Sequence, residues 1–568
     1  MKYAVRSLGY GGGLLCVSVL AACHTAPADL LDPSGSARMA ATAAPLATAC
    51  LLVTSSDSSL YVGDRVYLSG YAVRTKPRGG VVESKNVLWT SSNPAVVTIA
   101  GRYAYGVGAG TAVITGTASN CSGTLNLVVE VVPRPTGTKE LRLAVTRFDS
   151  TTTTPLASNG ILLPQGYLFE RDLKAVALSD GKKEVARVLL PLAGRYPDGS
   201  LRAVLLQFKI IPPMPSVQLV VGSTHSVIDP TPWPIPSPLP QAIAVPESIS
   251  FTINSAFFGP TVPVIASPKP EYEALYQFFA EQHWTDDGAQ WEFANYYDRV
   301  LNHAAYWARS GNVQFWKRSM LMALNFRTQY IEPSGYGPSP HWMLLEGLAA
   351  HYWMTGDTLS RRAVINSTIR VTAGFTPENM GNPTYPYIEG RIGARMLLGS
   401  LLTWELGDST QDWKAKTTAY KNDLLTLQQA DGSYAWPNWC GHQGNYMVGM
   451  ANDALVKYYE RHTRDPAIVA AIKKSVDHIY ASSWIPSLRT FTYMDVHGCI
   501  PEGSDPSPDL NMLIINGFAF TGARTGAPTY IAMSDSIADG AMAGAFLPGS
   551  KQFNQFFYDS FQWLWYRR

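Results

Sequence analysis

Charge is scarce in this chain. Only 15% of its 568 residues are Asp, Glu, Lys or Arg, the net charge is +2, and no run of like charge occurs. Nothing here attracts a phosphate backbone, so nucleic acid is excluded as a partner. Cysteine is sparse too, six in all, and sulfur and histidine do not come in the grouped spacing of a structural metal. No metal and no cofactor are expected. Long apolar runs are missing, and the stretch from Leu14 to Leu20 is too short to span a bilayer comfortably. The length in turn excludes a single hydrophobic core, so several domains are expected. What the chain does have is aromatic side chains, 15 Trp and 29 Tyr, many among polar neighbours. Most must be core. Flat rings with a polar edge also suit the C–H patches of sugars.

The N-terminus speaks to compartment. Lys2 and Arg6 precede an apolar stretch that ends in Leu20-Ala21-Ala22-Cys23. That ending resembles the bacterial lipobox. The resemblance implies that residues 1–22 are a signal peptide and that Cys23 is acylated, tying the protein to a lipid bilayer. His24 stands where an inner-membrane retention signal would have Asp, which favours an outer-membrane lipoprotein of the cell envelope, on the periplasmic or the surface face. Residues 23–48 are rich in Ala, Pro, Ser and Gly and read as a flexible tether. Export leaves four cysteines in an oxidising compartment, and two local disulfides are the simplest pairing, Cys50–Cys121 and Cys440–Cys499.

Residues 49–133 alternate as short strands between turn residues. The stretch Val87-Leu88-Trp89-Thr90-Ser91-Ser92-Asn93-Pro94-Ala95-Val96-Val97, with Val62-Gly63-Asp64 and Gly106-Val107-Gly108-Ala109-Gly110-Thr111-Ala112, resembles the bacterial Ig-like group 2 family. That implies a β-sandwich acting as spacer or adhesive module, with Trp89 in its core. Residues 139–225 form a second β region. There, Leu163-Pro164-Gln165-Gly166 and Tyr196-Pro197-Asp198-Gly199-Ser200-Leu201-Arg202 resemble the N-terminal β-barrel of the exo-rhamnogalacturonan lyase family. This implies an accessory β-domain ahead of a helical carbohydrate-active one. Residues 226–267 are proline-rich and read as a semi-rigid spacer.

From residue 268 to 568 the pattern is helical, and it repeats. Tyr306-Trp307-Ala308-Arg309-Ser310-Gly311-Asn312 recurs as Tyr352-Trp353-Met354-Thr355-Gly356-Asp357, with weaker echoes at Gly407-Asp408, Thr463-Arg464-Asp465 and Gly526. Each echo caps one helix and starts the returning one, and five or six such hairpins resemble an (α/α)6 toroid. The expected fold is therefore multidomain: an Ig-like β-sandwich, a second β-domain and an all-α toroid.

If the turns share one face of a ring, the loops before the turn-bearing helices share the other, with helix dipoles directed into it. Those loops gather chemistry. His283 to Glu292 contains Trp284 and Asp286; His341 and Trp342 sit in the second; the third holds Tyr387, Glu389 and Arg391; and the fourth holds Trp439, His442, Asn445 and Tyr446. Tyr493 and Asp495 approach beside the Cys440–Cys499 clamp. A polysaccharide is the expected partner, and two mechanisms compete. A lyase needs Arg391 or Asn445 to neutralise a uronate and His442, His341, Tyr446 or Tyr387 as base. An inverting hydrolase needs two carboxylates about 6.5–9.5 Å apart, drawn from Asp286, Asp287, Glu389 and Asp495. Trp342, Trp284, Trp439 and Tyr493 would contact substrate. A non-catalytic glycan-binding or adhesive lipoprotein is the alternative.

Overall fold

The computed structural model describes residues 50–568, except 55–58, 64, 69, 76–80, 85–86, 119–123, 133–137, 224–225, 377–388, 435, 437–439 and 496–499. The signal, Cys23, the tether, Cys121, Tyr387, Trp439 and Cys499 lie outside these residues. The chain divides into two compact units, Met1–Arg134 and Pro135–Arg568.

The regular elements among the described residues of the first unit are all β strands. Gly110–Thr117 pairs antiparallel with both Thr124–Val132 and Leu88–Ser91, and two three-stranded sheets accompany this one. Ala112 and Ile114 alternate inward and meet Trp89, Val97 and Val129. Trp89 is 5% exposed, and its ring occupies the space left by Gly116, directly opposite in the ladder.

The second unit opens with seven strands: β1 (Lys139–Arg147), β2 (Leu156–Leu162), β3 (Val176–Ser179), β4 (Arg187–Pro191), β5 (Ala203–Lys209), β6 (Ser216–Val221) and β7 (Ala242–Pro246). They form one sheet in the order β3-β6-β1-β7-β2-β5-β4. The turn at Pro197–Ser200 is held by Asp198, which accepts from the Ser200 amide at 3.0 Å, with Gly199 at φ 82°. One expectation changes here. The stretch 226–267 is more than a spacer, because β7 lies within it and sits near the middle of the sheet. Its Ala-Ile-Ala-Val segment is buried, and Asn159 of β2 both donates to and accepts from the Ala244 backbone, at 2.9 and 2.7 Å. An amide side chain thereby replaces ladder bonds where β2 and β7 meet through a single pair. The flanking prolines hid that apolar core.

Among the described residues, twelve helices of eight residues or more follow in pairs. The outer ones are α1 (Pro270–Asp287), α3 (Val313–Phe326), α5 (Thr358–Thr372), α7 (Trp413–Leu427), α9 (Pro466–Ser483) and α11 (Pro528–Gly544); the inner ones are α2 (Arg299–Ser310), α4 (Glu346–Thr355), α6 (Gly390–Glu405), α8 (Asn445–Arg461), α10 (Ile515–Thr525) and α12 (Ser550–Phe557). Neighbouring inner helices pack from α2 through α10, the turn Ser560–Gln562 touches α10 and α12, and α12 returns to α2. This is a closed ring of six hairpins. Its reversals are the sequence repeat: Gly311, Gly356, Gly407 and Gly526 carry φ of 72°, 81°, 71° and 69°, while Asn312, Asp357, Asp412 and Asp465 accept from the first amides of the return helices.

The sheet is fastened to the end of the ring where inner helices finish. Tyr352 and Trp353 bond the Ala193 backbone at 2.6 and 3.0 Å, and a Cβ on Gly160 would meet the Trp353 carbonyl at 1.9 Å. Beside this seam His351 is buried, its Nδ1 2.8 Å from the Ser360 hydroxyl. Burial, with Arg327 adding to it against Asp357, pushes its pKa down from 6.5 to about 4. Below 6.5 the unfolded chain takes a proton that the folded chain refuses until about 4. This contribution to stability is therefore intact above that window and lost as pH falls through it. Replacing His351 with Gln is expected to flatten the fall of the unfolding free energy measured in urea there, by about 1.4 kcal/mol per pH unit.

Candidate functional site

The inner helices run in parallel, so their six N-termini share one mouth, at the end away from the sheet. The backbone entering it is strained. Among the described residues, seven other than glycine have positive φ, and Tyr297, Asp298, Tyr336 and Cys440 all lie in mouth loops. Asp298 shows what holds such a conformation: its carboxylate accepts from the Leu301 amide at 3.1 Å and the Gly347 amide at 2.9 Å, tying the starts of α2 and α4 together. Burial raises this carboxyl to about 7.

His341 and Glu389 meet here, Nε2 to Oε1 at 3.4 Å, although 48 positions separate them in the chain, as 389 minus 341 gives. Glu389 precedes α6 without capping it, its carboxylate turned instead to His341 and to Arg391, whose Nε lies 2.6 Å away. Burial works against the Glu389 charge, but the His341 hydrogen bond and the Arg391 guanidinium overcome it and hold the carboxyl below its usual range. Arg391 also donates from Nη1 to the Tyr296 hydroxyl at 3.1 Å and stands 6.0 Å from the centre of the Tyr446 ring. The Tyr446 and Tyr493 hydroxyls are 3.2 Å apart. Burial, with the neighbouring Tyr297, drives the Tyr446 phenol well above 10 despite Arg391, so it stays protonated at neutral pH. Trp342 packs on Tyr296 with centroids 4.7 Å apart, and Trp291 stacks on Tyr330 at 4.5 Å. Tyr330 sits on a single π turn, Arg327–Ile331, a device frequent at functional sites.

His442 and Asp495 form a neighbouring group. Asp495 accepts from the Gln443 amide at 3.1 Å and contacts His478 Nε2 at 3.0 Å, with His442 Nδ1 at 3.9 Å. Tyr446, one helical turn beyond His442, and Tyr493, two residues before Asp495, connect this group to the first. Asn445 is buried, its amide donating to the Thr492 carbonyl at 2.8 Å, so it fixes the loop and offers nothing to substrate. Cys440 is disulfide-bonded.

The first loop is placed differently from its reading as a loop. His283 to Asp287 complete helix α1, which ends only at Gly288, φ 55°. Trp284 lies under the Arg318 guanidinium of α3, 5.0 Å from its ring, between two outer helices. Asp286 is exposed on the last turn, and Asp287 is 3.6 Å from Arg299. None of these contacts the His341 group. Two residues that sequence reasoning passed over do belong to it. Tyr296 stands between Arg391 and Trp342, and Lys551, in the first turn of α12, lies 5.9 Å from the Tyr296 ring centre. Extending the repeat past Gly526 to a sixth hairpin would have located the loop that ends at Gly549.

Fold and site together define a protein of β and α domains whose helical ring gathers phenols, cations and clamped carboxylates at its mouth. No family model matches the chain and no curated protein does. Among solved structures it is similar to an unsaturated glucuronyl hydrolase from Bacillus sp. GL1, at 11% identity and TM-score 0.35 over 45% of this chain and 74% of that one. A D-mannose isomerase gives 10% and 0.36 over 48% and 86%, and a polysaccharide lyase gives 11% and 0.29 over 88% and 60%.

Proposed function

We propose that the protein cleaves a uronic-acid-containing polysaccharide by β-elimination at the mouth of the helical ring. The observation that carries this reading is Arg391, charged in the first turn of an inner helix with two bonded tyrosine hydroxyls beside it. A cation there opposes the helix dipole, and Glu389, 2.5 Å from Nη2, offsets that cost from one side only. A uronate carboxylate would meet the guanidinium from the mouth. Bound to Arg391, that carboxylate draws charge from C5 and acidifies its proton. His341, oriented through Nε2 by Glu389, takes the C5 proton on Nδ1. The C5–H electron pair becomes the C4–C5 double bond as the C4–O bond breaks, and the leaving oxygen collects a proton from Tyr446, relayed by Tyr493. Glu389 is held ionised, which suits an orienting group and not the general acid of an inverting hydrolase.

Around this centre the remaining assignments extend the proposal. The lipobox-like segment exports the chain and fixes it to a membrane through Cys23, the Ig-like unit serves as a spacer or adhesive module, and a Cys440–Cys499 bridge clamps the fourth loop. The purified protein, incubated with a panel of acidic and neutral polysaccharides, is expected to generate new ultraviolet absorbance from unsaturated uronates. Reducing ends without new absorbance would instead mean hydrolysis, and binding without either would mean a glycan-binding protein.

A further inference from the structure

The mouth holds a second cation that this mechanism does not use. Lys551 sits in the first turn of α12, again against the helix dipole, and that turn contains no acidic residue. Among the described residues no carboxylate forms an ion pair with it. The acid whose charge is felt there is Asp509, whose Oδ1 is occupied by the Phe546 amide at 2.5 Å. The ammonium lies on the face of Tyr296, whose hydroxyl takes the Arg391 hydrogen bond at 3.1 Å, so one tyrosine separates two cations. Burial and the Arg391 charge both push the Lys551 amine down from its ordinary value. Two neighbouring cations at one mouth, one of them unpaired, repel each other until an anion arrives.

We infer that Lys551 binds an anionic group on the sugar adjoining the one whose carboxylate Arg391 takes, which makes the substrate class a glycan with acidic residues in succession. The inference rests on the reading of this mouth as a glycan site. It does not depend on whether the glycan is cut.

The test is calorimetric binding of polygalacturonate, alginate and hyaluronan, plus carboxyl-reduced forms of the first two, to the full chain and to its Lys551→Met and Lys551→Arg variants, with turnover read on the same samples. Most of the Lys551 side chain is open to solvent even though its ammonium is partly covered beside Tyr296, so both variants keep the fold. Lys551→Met is expected to weaken binding of a contiguous polyuronate about fivefold to tenfold. Its effect on the carboxyl-reduced polymer, or on hyaluronan, where acidic and neutral sugars alternate, is expected to be under twofold, and Lys551→Arg is expected to restore binding. Unchanged polyuronate binding by Lys551→Met, equal weakening on every polymer, or no polyuronate binding by the parent protein would overturn the inference. Lys551-dependent binding without turnover defeats the lyase reading alone, and turnover with an unmoved KM in Lys551→Met defeats this inference alone.

Discussion

Replacing Arg391 by Met is expected to lower kcat on a uronate polysaccharide by about 100-fold to 1000-fold, the usual consequence of removing one preorganised electrostatic contact from a transition state. The loss should appear in kcat more than in KM, because charge at C5 grows as its proton leaves and the guanidinium is worth most at that moment. Tyr446→Phe removes the hydroxyl that protonates the leaving oxygen, and its expected loss is about 100-fold to 10000-fold. The Arg391 guanidinium stands 6.0 Å from the Tyr446 ring centre and both serve one reaction step, so the double variant should fall well short of the product of the single effects. Steady-state kinetics on the two single variants and the double variant decide this. Full activity in Tyr446→Phe would move the acid elsewhere, with His442 beside Asp495 the next candidate.

The second large effect is on stability. Inside the ring, Lys457 Nζ lies 2.8 Å from Glu346, 3.2 Å from Asp453 and 2.5 Å from Asp559, all of them buried. Tyr558 donates to Glu346 at 2.9 Å and accepts from Arg395 at 2.9 Å, while Arg461 bonds Glu405 through Nε at 3.0 Å. Removing one partner from such a network strands the others. Lys457→Met leaves three carboxylates facing one another away from water, and about 3–5 kcal/mol of stability should be lost. Burial already pushes Asp559 well above its ordinary value, so this carboxyl will take up a proton and absorb part of the cost. Urea unfolding at neutral pH measures it, and a loss under about 1 kcal/mol would mean that water reaches the axis of the ring.

Why the ring was legible and its contents were not follows from the range of the interactions involved. A left-handed glycine after an aromatic-ended helix, followed by an Asn or Asp that caps the next, is settled within a few residues, and Gly311-Asn312 and Gly356-Asp357 state it twice. The contact of Arg391 with Tyr296 spans 95 residues and exists only because the ring closes. Nothing local distinguishes Tyr296 from a core tyrosine. Trp284 and Asp286 were read as loop because their neighbours are polar, yet three polar residues do not end a helix, and Gly288 does. Asn445 looked available to a uronate because side-chain amides serve that purpose elsewhere; here the Thr492 carbonyl has claimed it. The same short-range logic misread residues 226–267, where proline content masked five residues that complete a sheet.

Mass spectrometry of the products released from a polyuronate by the parent protein goes straight to the chemistry assigned to this mouth. Elimination predicts a new non-reducing end lighter by one water than its hydrolytic counterpart, carrying a C4–C5 double bond, and absent when Arg391 is replaced. Products of full hydrolytic mass, or unsaturated products made equally well without Arg391, would contradict it.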